Sequence, residues 1–260
     1  MSRSSSPELA PRQSTPTGLR ALIGPAVTRW FAPGASLVDE RGRSEHLHLL
    51  TDGWAYRYAT TRDGARQILA VLLPGDFCNL DGLSLACCDY GVRALTPVTT
   101  LSLSPARAMT LAAQHAELMQ LFLRRIAVEN AMLGRWTLCL GRKSSEARLA
   151  HFLCQLATRL GASAGEDSFT FDLPLSQEQI ADVLGLTPVH VNRTLQNMRA
   201  NGSIATRGRS TTIPSLSALC RVGEFDPGYL HQKELAAADG EILRAAGDRM
   251  PADEPGPAVR

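Results

Sequence analysis

The chain has 260 residues, 27 basic and 25 acidic side chains, a formal net charge of +2 and 44% hydrophobic residues. That length fits one large domain or two small ones, the apolar fraction excludes wholesale disorder, and no run approaches the ~20 apolar residues of a membrane helix. The Ser- and Pro-rich start has no apolar core and so is no secretory signal, and six cysteines in a chain this long make no disulfide scaffold, so a reduced, cytoplasmic setting is expected.

Residues 1–18 offer little to bury and read as a disordered tail. From Leu19 to Leu103 short β-type runs follow one another, with Gly42, Gly53, Gly64 and Gly75 at a spacing of 11. Between the glycines lie extended segments at His46–Leu50, Trp54–Ala59 and Arg66–Leu72, and Asp63-Gly64 makes a hairpin tip. Evenly spaced short strands predict an antiparallel barrel or sandwich over 19–114. Ser104-Pro105 is a helix start. A long helix follows over 115–141, in which Met119, Phe122, Ile126, Glu129, Leu133, Trp136 and Leu140 step alternately by three and four. That is a heptad seam. It fits packing on the β block, but Leu118, Leu121, Leu123 and Val128 make the helix apolar on other faces too. Two apolar faces favour a helix that touches its own domain on one side and a twin helix on the other.

Ser144-Ser145 caps another helix, with Leu149, Phe152, Leu153, Leu156 and Leu160 on one face, and Phe169-Thr170-Phe171 is strand-like. Ser176 and Gln179 form a capping-box pattern, Ile180, Ala181 and Leu184 point inward, and Gly185 permits a tight turn. Thr187 then caps a helix with Pro188 at its first position. In that helix, over 188–200, Val191, Leu195 and Met198 share the core face, and Val189, Asn192, Arg193 and Gln196 share the opposite one. This is a helix-turn-helix, and the alternation from Ile204 to Ile213 around Gly208 reads as a β-hairpin wing. An Arg guanidinium matches the two acceptors on the guanine edge, so Arg193 is the foremost candidate for a base contact. Asn192 and Gln196 suit adenine edges or phosphates, and His190 a phosphate. Backbone N–H groups near Ser176-Gln177 and Thr187 suit phosphates as well, and Arg207 and Arg209 would clamp the flanking backbone. Residues 183–223 hold five arginines and no acidic residue, which argues for double-stranded DNA rather than a merely solvated face.

These segments together resemble the cyclic-AMP receptor/fumarate–nitrate regulator (Crp/Fnr) superfamily of bacterial transcription factors. The most specific match is the run from Leu175-Ser176-Gln177-Glu178-Gln179 to Leu186-Thr187, followed by Val191-Asn192-Arg193-Thr194-Leu195. Gly64 with Arg66-Gln67-Ile68-Leu69, then Leu73-Pro74-Gly75-Asp76-Phe77, resembles the middle of the family's β-roll. The resemblance implies an α+β chain: a jelly-roll, cyclic-nucleotide-binding-like sensor over 19–114, a dimerisation helix over 115–141, a winged helix-turn-helix over 142–222 and a C-terminal extension over 223–260. It implies a cytoplasmic bacterial homodimer that reads a palindromic operator of about 14–22 base pairs, with RNA polymerase as a further partner and no membrane. The family usually has Glu where this chain has Val189, so the half-site should differ at that base pair.

The sensor departs from the cyclic-nucleotide pattern. The position of the phosphate-binding pair falls near Cys88-Asp89, where a carboxylate would repel a phosphate, so cAMP is not expected; no cofactor is expected either, with haem or another small effector as the alternative. The first cysteine is Cys78, which leaves no N-terminal cluster for iron–sulfur chemistry. Cys78 stands near the Cys-x-His pair of haem-dependent carbon-monoxide sensors, but the His position is Leu80. Cys78, Cys87 and Cys88 are candidates for a thiol sensor, against the plainer reading of small buried residues. His46 and His48 share a strand face and lack a third metal ligand in register. The alternative to a DNA-binding regulator is a ligand- or redox-sensing module acting through protein contacts. An enzyme is not expected, since no Ser/His/Asp set, paired carboxylates or phosphate loop is present.

Overall fold

The computed structural model describes residues 17–163, 168–232, 234, 235, 240 and 244. The first element is a helix, α1 (Thr17–Ile23), where the sequence predicts a tail running into β structure. Leu19, Leu22 and Ile23, at i, i+3 and i+4, are all buried, and that apolar triplet is what folds the segment as a helix. The rest of the expected N-terminal tail lies outside the described residues. Of the C-terminal extension over 223–260, the described residues are 223–232, 234, 235, 240 and 244.

Seven antiparallel strands then form the roll in two sheets. β1 (Val27–Phe31), β7 (Val98–Leu103) and β3 (Leu47–Asp52) are neighbours in one. β2 (Ser36–Val38), β6 (Gly91–Ala94), β4 (Ala55–Thr60) and β5 (Arg66–Leu72) are neighbours in the other. Leu50, Ala55, Leu72, Val92 and Val98 fill the space between them. Helix α2 (Pro105–Gln114) is capped by Ser104. It is separate from the long helix α3 (Ala116–Arg142), with His115 in extended backbone between them. Helix α4 (Ser145–Arg159) starts on the Ser144 cap.

The C-terminal part comprises β8 (Phe169–Asp172), α5 (Gln177–Leu184), α6 (Pro188–Ala200), β9 (Ala205–Arg207), β10 (Ser210–Ile213) and α7 (Leu216–Gly223). β8 adds to the β9–β10 hairpin to make a three-stranded sheet in the order β8-β10-β9. A single hydrophobic core runs from Tyr56, Ile68 and Val71 on the roll through Leu149, Phe152 and Leu156 to Leu184, Met198 and Leu219. The chain beyond α7 turns back across α4. Tyr229 stacks on His151 at 6.0 Å, its hydroxyl donates to Gln155, and Gln232 donates to the Thr158 carbonyl at 2.6 Å.

His48 and His151 are buried, and burial pushes both imidazoles down to about 4. A histidine whose folded pKa lies below its unfolded value of ~6.5 is neutral in the fold and must be protonated to unfold in acid. Its contribution is therefore full above about pH 6.5 and is lost as the pH falls towards 4. Urea titrations across that range should show stability declining by up to about 3 kcal/mol per histidine, and His151→Phe should flatten part of the decline.

Candidate nucleic-acid interface

Local chemistry builds the helix-turn-helix. Ser176 accepts the Gln179 N–H while the Gln179 side chain accepts the Ser176 N–H at 2.8 Å, a complete capping box. Gly185 ends α5 at φ +63, a left-handed conformation that glycine adopts without the Cβ clash other residues meet. Thr187 caps α6 through the His190 N–H, and Pro188, having no N–H, leaves none unpaired at the first position. Val191, Leu195 and Met198 seat α6 on the core.

The opposite face of α6 is open. Val189 is 80% exposed, Asn192, Arg193 and Gln196 are exposed, and His190 is half-buried at the flank. Ser176, Gln177, Thr187 and Pro188 are exposed at the two helix starts, and Arg207 and Arg209 are exposed on the hairpin. The caps use the N–H groups of Gln179 and His190, so the amides left for a phosphate at these ends are those of Gln177, Glu178 and Val189.

The long-helix seam needs correction. Met119, Ile126, Leu133 and Leu140 lie on or beside the solvent face, but three of the seven seam residues point into their own chain. Phe122 is 2% exposed and meets Phe77 edge-on at 5.5 Å. Glu129 pairs with Arg57 at 2.8 Å, and Trp136 lies against Phe152 at 6.1 Å. The outward positions between them are Leu123, Asn130 and Thr137. The seam through Phe122, Glu129 and Trp136 and the one through Leu123, Asn130 and Thr137 share four of their seven members, and the residues peculiar to the first pack within their own chain.

The thiol candidates need correction too. Cys78 and Cys88 are both 0% exposed, and burial raises both thiols, Cys78 to about 12. Neither offers an oxidant a thiolate; of the three, Cys87 alone is exposed. His48 bonds to the Ser102 hydroxyl, and among the described residues no group of His, Cys, Asp and Glu could hold a metal.

Sequence reasoning missed the contacts that fasten the β-roll to α4 and the helix-turn-helix, because each joins residues far apart in the chain. Arg66 pairs with Asp182 at 2.7 Å, Gln67 donates to the Val183 carbonyl at 3.1 Å, and Arg159 donates to the Val71 carbonyl and pairs with Asp76. Arg57 sits at the centre. Its Nε donates to the Cys78 carbonyl, Nη1 to Glu129, and Nη2 to the Phe77 carbonyl and Glu129. A cavity of about 120 Å³ opens beside it, between β5, α3 and α4. Glu129→Gln should cost about 3 kcal/mol in a urea unfolding titration, because the Arg57 charge would stay buried without its carboxylate.

No helix among the described residues is long and apolar enough to cross a membrane. Residues 147–222 match the family of Crp-like helix-turn-helix domains, and residues 28–115 match the cyclic nucleotide-binding domain family. The chain is 30% identical to the nitrogen fixation regulation protein FixK of Bradyrhizobium diazoefficiens, over 67% of this chain and 73% of that protein. It is 29% identical to the transcriptional activator protein FnrL of Cereibacter sphaeroides, over 71% of this chain and 75% of that one. The solved structure of FixK2 from Bradyrhizobium japonicum superposes with a TM-score of 0.69 at 25% identity, covering 76% of this chain and 96% of that one. These relatives are transcription regulators rather than enzymes.

Proposed function

Because the chain belongs to the Crp/Fnr family of transcription regulators, we propose that it acts as a cytoplasmic homodimer reading an inverted-repeat operator with α6, in concert with RNA polymerase. The observation that carries the reading is the open face of α6, with Val189, Asn192, Arg193 and Gln196 presented by a helix whose other side is fixed in the core. Arg193 reads a guanine, Val189 touches a thymine methyl in place of an acceptor for cytosine, and Asn192 and Gln196 read or flank adenine. His190, Arg207, Arg209 and the amides following Ser176 and Thr187 hold phosphates. Operator selection from a random DNA library, followed by gel shifts at graded salt, tests the reading. A recovered palindrome and a steep salt dependence support it, and equal affinity for all sequences overturns it.

The second copy docks on α3 through Met119, Leu123, Ile126, Asn130, Leu133, Thr137 and Leu140. Leu123, Ile126 and Leu133 are 60%, 44% and 45% exposed, apolar positions on one face, broken by Asn130, that a lone protomer would leave in water. A two-fold axis along that face makes the surface self-complementary and matches an inverted repeat. Asn130 in its middle favours one register. The division into a roll over 19–114, a dimer helix over 115–141, a reading head over 142–222 and an extension over 223–260 follows the same scheme.

Cyclic nucleotide is not the signal in this reading. Arg57, a buried cation of the roll, already directs four of its five N–H donors to Glu129 and two carbonyls, and Asp89, near the position of the phosphate-binding pair, would repel a phosphate. Isothermal titration with cAMP should give no heat.

A further inference from the structure

Of the three remaining thiols, Cys139, Cys154 and Cys220, the last two face each other. Cys154 on α4 is fully buried, Cys220 on α7 is partly exposed, and their sulfurs lie 3.6 Å apart. The backbones around them are held close by an independent contact. One turn along, Gly223 approaches α4 so tightly that a Cβ on it would lie 2.6 Å from the His151 nitrogen and 2.9 Å from the Ala150 carbonyl carbon. Cys154 follows His151 by three residues and Cys220 precedes Gly223 by three. The helices therefore run antiparallel, with His151 opposite Gly223 and Cys154 opposite Cys220. Only glycine permits that approach, and it sets the helix spacing that brings the sulfurs to contact distance.

The geometry points to Cys154 and Cys220 as a reversible dithiol–disulfide pair, oxidised by peroxide, that staples α7 to α4. Cys220 is the attacking sulfur, since it is the one solvent reaches. In the dithiol the Cys220 S–H donates toward the Cys154 sulfur; once Cys220 ionises, the Cys154 S–H serves its thiolate instead, which lowers the Cys220 thiol and raises that of Cys154. The Cys220 thiolate attacks one peroxide oxygen, the O–O bond breaks, and the departing hydroxide takes up a proton as water, leaving a sulfenic acid. The Cys154 sulfur then attacks the Cys220 sulfur. The S–O bond breaks, and the leaving hydroxide departs as water with the proton Cys154 gives up. Two thiols and one peroxide become one disulfide and two waters. The closed loop contains α5, α6 and the wing, so the staple restricts the unfolded chain across the whole reading head.

The test uses the full-length chain with Cys87→Ser, which removes the exposed thiol outside the pair. After hydrogen peroxide treatment, peptide mapping without reductant should give a cross-linked Cys154–Cys220 peptide within one chain. The oxidised form should melt higher, by a shift on the order of 10 °C, and dithiothreitol should reverse both changes. Cys220→Ser should abolish them. The proposal is overturned if Cys220 runs on to sulfinic acid with Cys154 still a thiol, if the cross-link joins other cysteines, or if neither sulfur reacts. The peptide map of the Cys87→Ser protein decides the matter even if Cys154→Ala or Cys220→Ser fails to fold.

Discussion

Arg193→Ala is expected to weaken binding to the selected operator by about two to four orders of magnitude, while leaving the fold intact. The side chain is exposed on α6, so its removal opens no cavity. An Arg matched to both acceptors of a guanine is worth about 1–3 kcal/mol of discrimination per half-site, and a dimer loses that contribution twice. The loss should be confined to the specific sequence, with affinity for bulk DNA and its salt dependence changing little. Arg207→Ala and Arg209→Ala should do the reverse, weakening binding to all sequences and flattening the salt slope. Val189→Glu should change the selected base rather than the overall affinity, because a carboxylate accepts from the cytosine amino group where an isopropyl group meets a thymine methyl. The same consensus from both proteins would remove Val189 from the base-reading set.

Leu133→Asp, or Ile126→Asp, is expected to dissociate the dimer and abolish operator binding without unfolding the protomer. Both residues are about half exposed in the single chain, so a carboxylate there is solvated when the copies part. On association it would be placed twice beside the two-fold axis, between like charges and without a cation. A dimer weakened by at least about 100-fold follows, visible as a monomer at micromolar concentration in sedimentation velocity. The two phasings of the helix are separated by a second pair. Leu123→Asp should also dissociate the dimer, whereas Phe122→Asp should unfold the protomer, because Phe122 packs on Phe77 inside it. Dissociation by Trp136→Asp alone, with Leu123→Asp still dimeric, would restore the other phasing.

The helix-turn-helix could be read from sequence because its geometry is set locally. Ser176 with Gln179, Gly185, Thr187 and Pro188 each fix a cap or a turn within a few residues, and the spacing of Val191, Leu195 and Met198 orients α6 without reference to the rest of the molecule. The exposed face of α3 could be read only to within one residue. Its outward positions include Asn130 and Thr137, while Phe122 and Trp136, the residues that draw the eye, serve the protomer. Periodicity reports that a face is apolar but not what covers it. The fastening contacts and the turn-back of the C-terminal segment could not be read at all. Arg66 with Asp182, Arg159 with Asp76 and Tyr229 with His151 are ordinary residues until the fold brings them together. The helix at Thr17–Ile23 was hidden by its shortness, since three apolar positions over seven residues fit a strand end as well as a helix turn.

The core that runs without a break from Ile68 and Val71 of the roll to Leu184 and Met198 of the reading head bears on how the molecule comes apart. Two domains joined only by a linker would melt in two steps, each with its own midpoint. Here the shared packing couples them, so calorimetry should record a single cooperative transition whose calorimetric and van't Hoff enthalpies agree. Damage then travels. Shortening Ile68 to Ala removes contacts from both halves at once, and a lesion in the sensor, far from any base, lowers the population of molecules fit to bind DNA.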